Sequence, residues 1–261
     1  MANRDEYLPG EFCWADLMTA DLERAKRFYA GLFGWTAEDQ DTQGGPPYVQ
    51  FMHGGRTAAG MGVMNEAMRA AGAPCTWNTY VQVSDVGAAT DTAAGLGASV
   101  VLPVMQVVEA GWMSIIQDPE GAYISLWQPV KHAGAGWAGD PGGACWFELA
   151  TRDPEGAKQF YGDLFGWTYR ASHQAPTSYA VVQCGGVEQG GMIEMNEEWE
   201  GMPPCWGVYF EVADIAAAVE KVPALGGHVE VAPFEVPEVA TIAVVADDQG
   251  AFFYLMRKAS S

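Results

Sequence analysis

Residues Asp21–Thr36 read DLERAKRFYAGLFGWT and residues Asp153–Thr168 read DPEGAKQFYGDLFGWT, an ungapped match with 11 of 16 positions identical. A match of that length marks a duplicated structural unit. It continues in order along the chain. Trp14 answers to Trp146, Tyr48 to Tyr179, Gly60-Met61 to Gly191-Met192, Trp77 to Trp206, Tyr80 to Tyr209 and Asp85 to Asp214; Asp118 and Gly121 answer to Asp247 and Gly250. The offset stays between 129 and 132. The chain of 261 residues therefore divides into domains 1–131 and 144–261. Between them runs HAGAGWAGDPGG, residues 132–143, whose glycines suit a flexible linker.

Within the quoted stretch, Ala25, Phe28, Tyr29 and Leu32 follow helical spacing, Asp21 can cap the start and Gly34 stands at the end. A second helix is expected from Ser84 or Asp85 through Ala89, Ala93 and Leu96 to Gly97, after the strand-like Tyr80–Val83. Short strands are expected at 48–53 and 58–64 after the first helix, and at 113–117 and 122–128 after the second. The unit reads βαβββ, twice per half and four times per chain, an α+β arrangement.

Apolar residues make up 49% and charged residues 18%, which belongs to folded globular chains. Thirteen Lys and Arg against 33 Asp and Glu leave a formal charge of −20, a field that repels phosphate backbones and anionic lipid. Neither nucleic acid nor a membrane is expected as a partner. No apolar stretch follows Arg4 and no run of eighteen apolar residues occurs, so a cytoplasmic location is expected. The five cysteines are odd in number and lack a CxxC pair, which suits reduced thiols. A monomer or homodimer fits these features equally.

An Asp-capped helix ending in FYxxLFGW, the turn Asp118-Pro119-Glu120-Gly121 and the doubled βαβββ unit together resemble the vicinal oxygen chelate superfamily of glyoxalases, bleomycin-resistance proteins and extradiol dioxygenases. The tandem form is most similar to two-domain actinobacterial glyoxalase-like proteins, some labelled hydroxylases of aromatic polyketide pathways. The resemblance implies four βαβββ modules forming two glyoxalase-like domains, each with a curled, cup-shaped mixed sheet and metal ligands projecting inward. Carried onto this chain, the ligand positions fall at Trp14, Thr79 and Ser125 in the first half and at Trp146, Val208 and Tyr254 in the second. None is a strong metal donor. His53, His132, His173 and His228 share no ligand spacing. Neither metal nor cofactor is expected.

Strand alternation puts Trp14 and Asp16 on one face and Cys13, Ala15 and Leu17 on the other. The second half repeats this with Trp146 and Glu148 against Cys145, Phe147 and Leu149. By analogy the Trp–acid faces line the cups. Partial burial would raise the pKa of Asp16 and Glu148 and suit them to proton transfer; alternatively, each acid accepts structural hydrogen bonds. Ser125 and Trp127 on the last strand of the first half, and Tyr254 and Met256 in the second, extend the walls. Trp77, Asn78 and Trp206 are expected at the rim, with Trp112 closing the first cup. Ten tryptophans so placed suit a small hydrophobic, aromatic ligand. Two functions follow: metal-independent binding of such a metabolite for sequestration or resistance, or a cofactor-free hydroxylase or proton-transfer enzyme using Asp16 and Glu148.

Overall fold

The computed structural model describes residues 3–172 and 178–259. The first half runs β1 (Phe12–Thr19), α1 (Leu22–Phe33), β2 (Thr36–Asp39), β3 (Tyr48–His53), β4 (Arg56–Val63), a short α2 (Glu66–Ala70), β5 (Thr76–Gln82), α3 (Val86–Gly95), β6 (Ser99–Val107), β7 (Gly111–Gln117) and β8 (Tyr123–Pro129). The second half repeats it as β9 (Ala144–Thr151), α4 (Pro154–Phe165), β10 (Thr168–Ser172), β11 (Tyr179–Cys184), β12 (Val187–Glu194), β13 (Cys205–Glu211), α5 (Ile215–Ala224), β14 (His228–Val236), β15 (Ala240–Ala246) and β16 (Phe252–Lys258). The four helices of the repeat start for one reason: Asp21, Asp85, Asp153 and Asp214 each accept from a backbone N–H one turn on. Helices α1 and α4 end at Gly34 and Gly166 with φ of 70° and 71°, the left-handed conformation that glycine adopts freely.

Each half makes one open eight-stranded sheet, ordered β2-β3-β4-β1-β5-β8-β7-β6 and β10-β11-β12-β9-β13-β16-β15-β14. Two modules join within each half through an antiparallel central pair, β1 with β5 and β9 with β13. The helix-bearing faces of the two sheets share one core containing Leu17, Phe28, Leu149, Phe160 and Phe210. Phe12 stacks on Phe147 across the halves, centroids 4.4 Å apart.

The FYxxLFGW motif clamps the halves reciprocally. Tyr29 Oη donates to Asp247 Oδ2 at 3.0 Å and accepts from Trp77 Nε1 at 3.0 Å. Tyr161 Oη donates to Asp118 Oδ2 at 2.8 Å and accepts from Trp206 Nε1 at 2.9 Å. Trp35 donates to the Gly142 carbonyl and Trp167 to the Gly10 carbonyl. Trp77 and Trp206 therefore sit in the core between the sheets, away from the cup rims where they were expected. The segment 132–143 is also no loose tether. Ala135 N–H donates to the Cys13 carbonyl, Trp137 N–H to Thr57 and Gly142 N–H to Glu211, which fastens it across both halves.

Candidate functional site

On β1 the side chains alternate, with one interruption. A bulge between Phe12, opposite Val81, and Trp14, opposite Tyr80, brings Cys13 onto the face that carries Trp14. The same bulge on β9 puts Cys145 beside Trp146 and Tyr254. Simple alternation had placed both cysteines on the helix side; the extra residue in each strand moves them. Beyond the bulges the expected alternation holds, with Asp16 and Glu148 on the cup face and Ala15, Leu17, Phe147 and Leu149 in the core.

Each acid sits at the centre of a tyrosine network. Asp16, 6% exposed, accepts from Asn78 Nδ2 at 2.9 Å, Tyr80 Oη at 2.9 Å and Tyr48 Oη at 3.2 Å. Trp14 Nε1 donates to Tyr48 Oη at 3.0 Å. In the second cup Glu148 accepts from Tyr209 Oη at 2.6 Å and Tyr179 Oη at 2.7 Å, and Trp146 Nε1 donates to Tyr179 Oη at 3.0 Å. Burial pushes both carboxyls above the usual carboxylate range, and the donated hydrogen bonds pull them back in part. Burial and the neighbouring carboxylates push all four phenols well above the ordinary tyrosine value, so they remain donors at neutral pH.

The repeated glycines make the networks possible. A Cβ on Gly60 would lie 2.0 Å from Tyr48 Oη, and one on Gly191 2.0 Å from Tyr179 Oη. The bare backbone of β4 and β12 lets each tyrosine lie flat across the strand and reach the acid on the next. These tyrosines were absent from the expected site residues, although their pairing along the repeat, Tyr48 with Tyr179 and Tyr80 with Tyr209, was visible and was the signal that could have found them.

Among the other expected residues, Ser125 lies on the first cup face opposite Tyr80, buried, and Trp127 joins Trp14 and Tyr80 in the cup cluster. Tyr254 stacks on Tyr209 at 4.1 Å, and Met256 packs beside it. Asn78 belongs to the Asp16 network rather than to a rim. Trp112 does not close the first cup. It pairs with Gln128, and the adjacent Met113 pairs with Trp127, so Trp112 points from the opposite face and is 36% exposed.

The donor set does not fit a metal. Val208 lies in the helix-side core, and Thr79, between the cup-facing Asn78 and Tyr80, points the same way. The first cup holds Asp16, already bound by three donors; the second holds Glu148 between two phenols and, farther along β13, Glu211, which is paired with Lys258. Among the described residues no three His, Cys, Asp or Glu side chains converge; His173 lies outside them. Nor is any described helix long and apolar enough to cross a membrane.

This architecture has relatives. CFP32 of Mycobacterium tuberculosis, provisionally named a glyoxylase, is 38% identical over 261 residues, covering 99% of both chains. The anthracycline biosynthesis protein DauV of Streptomyces sp. strain C5 is 30% identical over 260 residues, covering 95% of this chain and 93% of its own. The fold is shared with the Mn(II)-bound glyoxalase of Novosphingobium aromaticivorans at a TM-score of 0.67 and 14% identity, over 100% of this chain and 84% of that one. The sequence profile of the Glyoxalase/Bleomycin resistance protein/Dioxygenase superfamily matches twice, at residues 12–126 and 144–254. With one match in each half, the chain belongs to that superfamily as a tandem member.

Proposed function

We propose that the protein binds a small, planar, hydrophobic metabolite of secondary metabolism on an aromatic cup face, without a metal. The observation that carries this reading is the composition of the cups. Where the fold would display metal ligands, this chain presents Trp14 or Trp146 beside a carboxylate held by two or three side-chain donors. Aromatic walls with few polar groups suit a flat apolar ligand. The anthracycline-biosynthesis name of DauV supports a secondary-metabolic setting.

Titration with planar aromatic compounds tests the reading. A ligand that binds only the folded protein at a hundredfold excess over Kd stabilises it by about 2.7 kcal/mol, and it should quench tryptophan fluorescence saturably. A broad panel giving neither effect refutes it. Elemental analysis of the purified protein should show no stoichiometric zinc, nickel, iron or manganese; a metal needed for binding or turnover would also refute it.

One observation favours a second reading, proton-transfer catalysis. Glu148 is half-buried, with two side-chain donors and its pKa raised, whereas Asp16 is buried and accepts from three. If Glu148 moves a proton, Glu148→Gln costs at least ~100-fold in rate, the low end of acid–base contributions, with ligand affinity little changed.

A further inference from the structure

The two cups derive from one repeated sequence, yet the chain itself lies in one of them. Residues 132–135 cross the first cup. The His132 ring stands edge-on to Trp14 with centroids 4.4 Å apart and lies 5.9 Å from Trp127. Trp127 Nε1 donates to the His132 carbonyl at 2.9 Å, Ala135 N–H to the Cys13 carbonyl at 2.8 Å, and Tyr7 Oη to the Ala135 carbonyl at 2.8 Å. Gly134 is needed at this crossing, because a Cβ there would lie 2.3 Å from the Cys13 oxygen. Trp14 is left only 4% exposed.

The second cup differs in two respects. Trp146 and Glu148 are both only half-buried, and among the described residues no aromatic ring packs on Trp146 as His132 packs on Trp14. Among the described residues the acid is also one side-chain donor short. Asn78, the third donor to Asp16, has Gly207 as its counterpart, the residue that faces Glu148 across β13 and β9. Glu148 is left with one tyrosine hydroxyl on each oxygen, and a carboxylate offers about four acceptor positions. Apolar surface continues outward from this point: Phe234, 43% exposed, pairs with Ile242 of the second-cup cluster.

We infer that the second cup is the open ligand site of this chain and that it takes a planar apolar ring bearing a hydroxyl. The ring packs on Trp146 as His132 packs on Trp14, and the hydroxyl donates to Glu148 as its third donor, while the first cup stays filled by the linker. The ligand half of this inference rests on the metabolite-binding reading above; the occupancy of the first cup does not.

Two measurements separate the halves. Hydroxyl-radical footprinting without ligand, read by mass spectrometry at each tryptophan, should oxidise Trp146 several-fold faster than Trp14, and His132→Ala should raise the rate at Trp14. Equal rates in the unaltered protein would overturn the occupancy whatever binds elsewhere. Calorimetry with 2-naphthol and 2-methoxynaphthalene should find one site per chain. The methyl ether, which cannot donate, should bind on the order of tenfold more weakly, the equivalent of one net hydrogen bond. Glu148→Gln should narrow that preference and Trp146→Ala should abolish binding, whereas Trp14→Ala, with its fold checked by circular dichroism, should retain it. Two sites, equal affinities for the two compounds, or loss of binding through Trp14→Ala alone would overturn the ligand assignment. No binding of either compound at millimolar concentration, with the footprinting contrast intact, would overturn the hydroxyl-bearing ligand together with the metabolite-binding reading and leave the linker in the first cup.

Discussion

Replacing Tyr29 by Phe removes one oxygen atom and strips two groups on different parts of the fold of their partner. Trp77 Nε1, in a side chain 4% exposed, loses its acceptor, and Asp247 Oδ2, in a residue with no exposed surface, loses its only side-chain donor among the described residues. A buried polar group left unpaired costs about 1–3 kcal/mol, more when charged, so the variant should lose ~2–5 kcal/mol. The loss should depend on pH with a predictable sign. The folded-state pKa of Asp247 is raised, chiefly by burial, and the Tyr29 hydrogen bond works against that rise. Without it the pKa rises further, so the deficit is largest at pH above both folded-state values, where Asp247 is ionised in parent and variant alike, and shrinks as pH falls through them. Urea denaturation of both proteins at several pH values reads this directly. The surface pair Arg24–Asp248, which also joins the halves at 2.8 Å, is the control: Arg24→Ala should cost clearly less than Tyr29→Phe, because solvent screens an exposed pair. A Tyr29→Phe loss below ~0.5 kcal/mol, or one no larger than that of Arg24→Ala, would refute the argument that the tyrosine clamp holds the halves together. Tyr161→Phe should repeat the result through Asp118 and Trp206.

Two further outcomes follow from the same geometry. Gly191→Ala should expel Tyr179 from Glu148 and weaken ligand binding in the second cup, and Gly60→Ala should displace Tyr48 and lower the melting temperature; crystal structures with both tyrosines still in place would contradict this. Burial lowers the His132 pKa to about 4, so the unfolded chain takes up a proton there that the folded chain refuses. The stability this residue contributes is present above about pH 6.5 and lost as pH falls towards 4, by at most ~3 kcal/mol. A His132→Gln variant should show a flatter stability profile across that window, and an unchanged slope would exclude His132 as its source.

The duplication, the Asp-capped helices and the superfamily were legible in the sequence, because each rests on local signals: caps, helical spacing and an in-order repeat. The strands β3, β7 and β8 were legible for the same reason, but β2 and β6 had no explicit location. Thr36–Asp39 is fully exposed, and Ser99–Val107 contains a proline and is largely exposed at a sheet edge, so neither shows the burial pattern that marks a strand. The Trp–acid pairing of Trp14 with Asp16 and Trp146 with Glu148 could be read from alternation alone. What surrounds the acids could not. Tyr48 and Tyr80 reach Asp16 from different strands, through a register that only the folded sheet sets. The faces of Cys13 and Cys145 depended on bulges, and a bulge is a property of two paired strands rather than of one sequence. Trp77 and Trp206 read as rim residues because aromatic strand positions look alike on either face; the packing of two sheets against one another turned them into the core. The difference between the cups belongs wholly to tertiary structure. Two nearly equivalent repeats fold alike, but the segment joining them runs past only one cup, and chain connectivity, rather than residue identity, fills it.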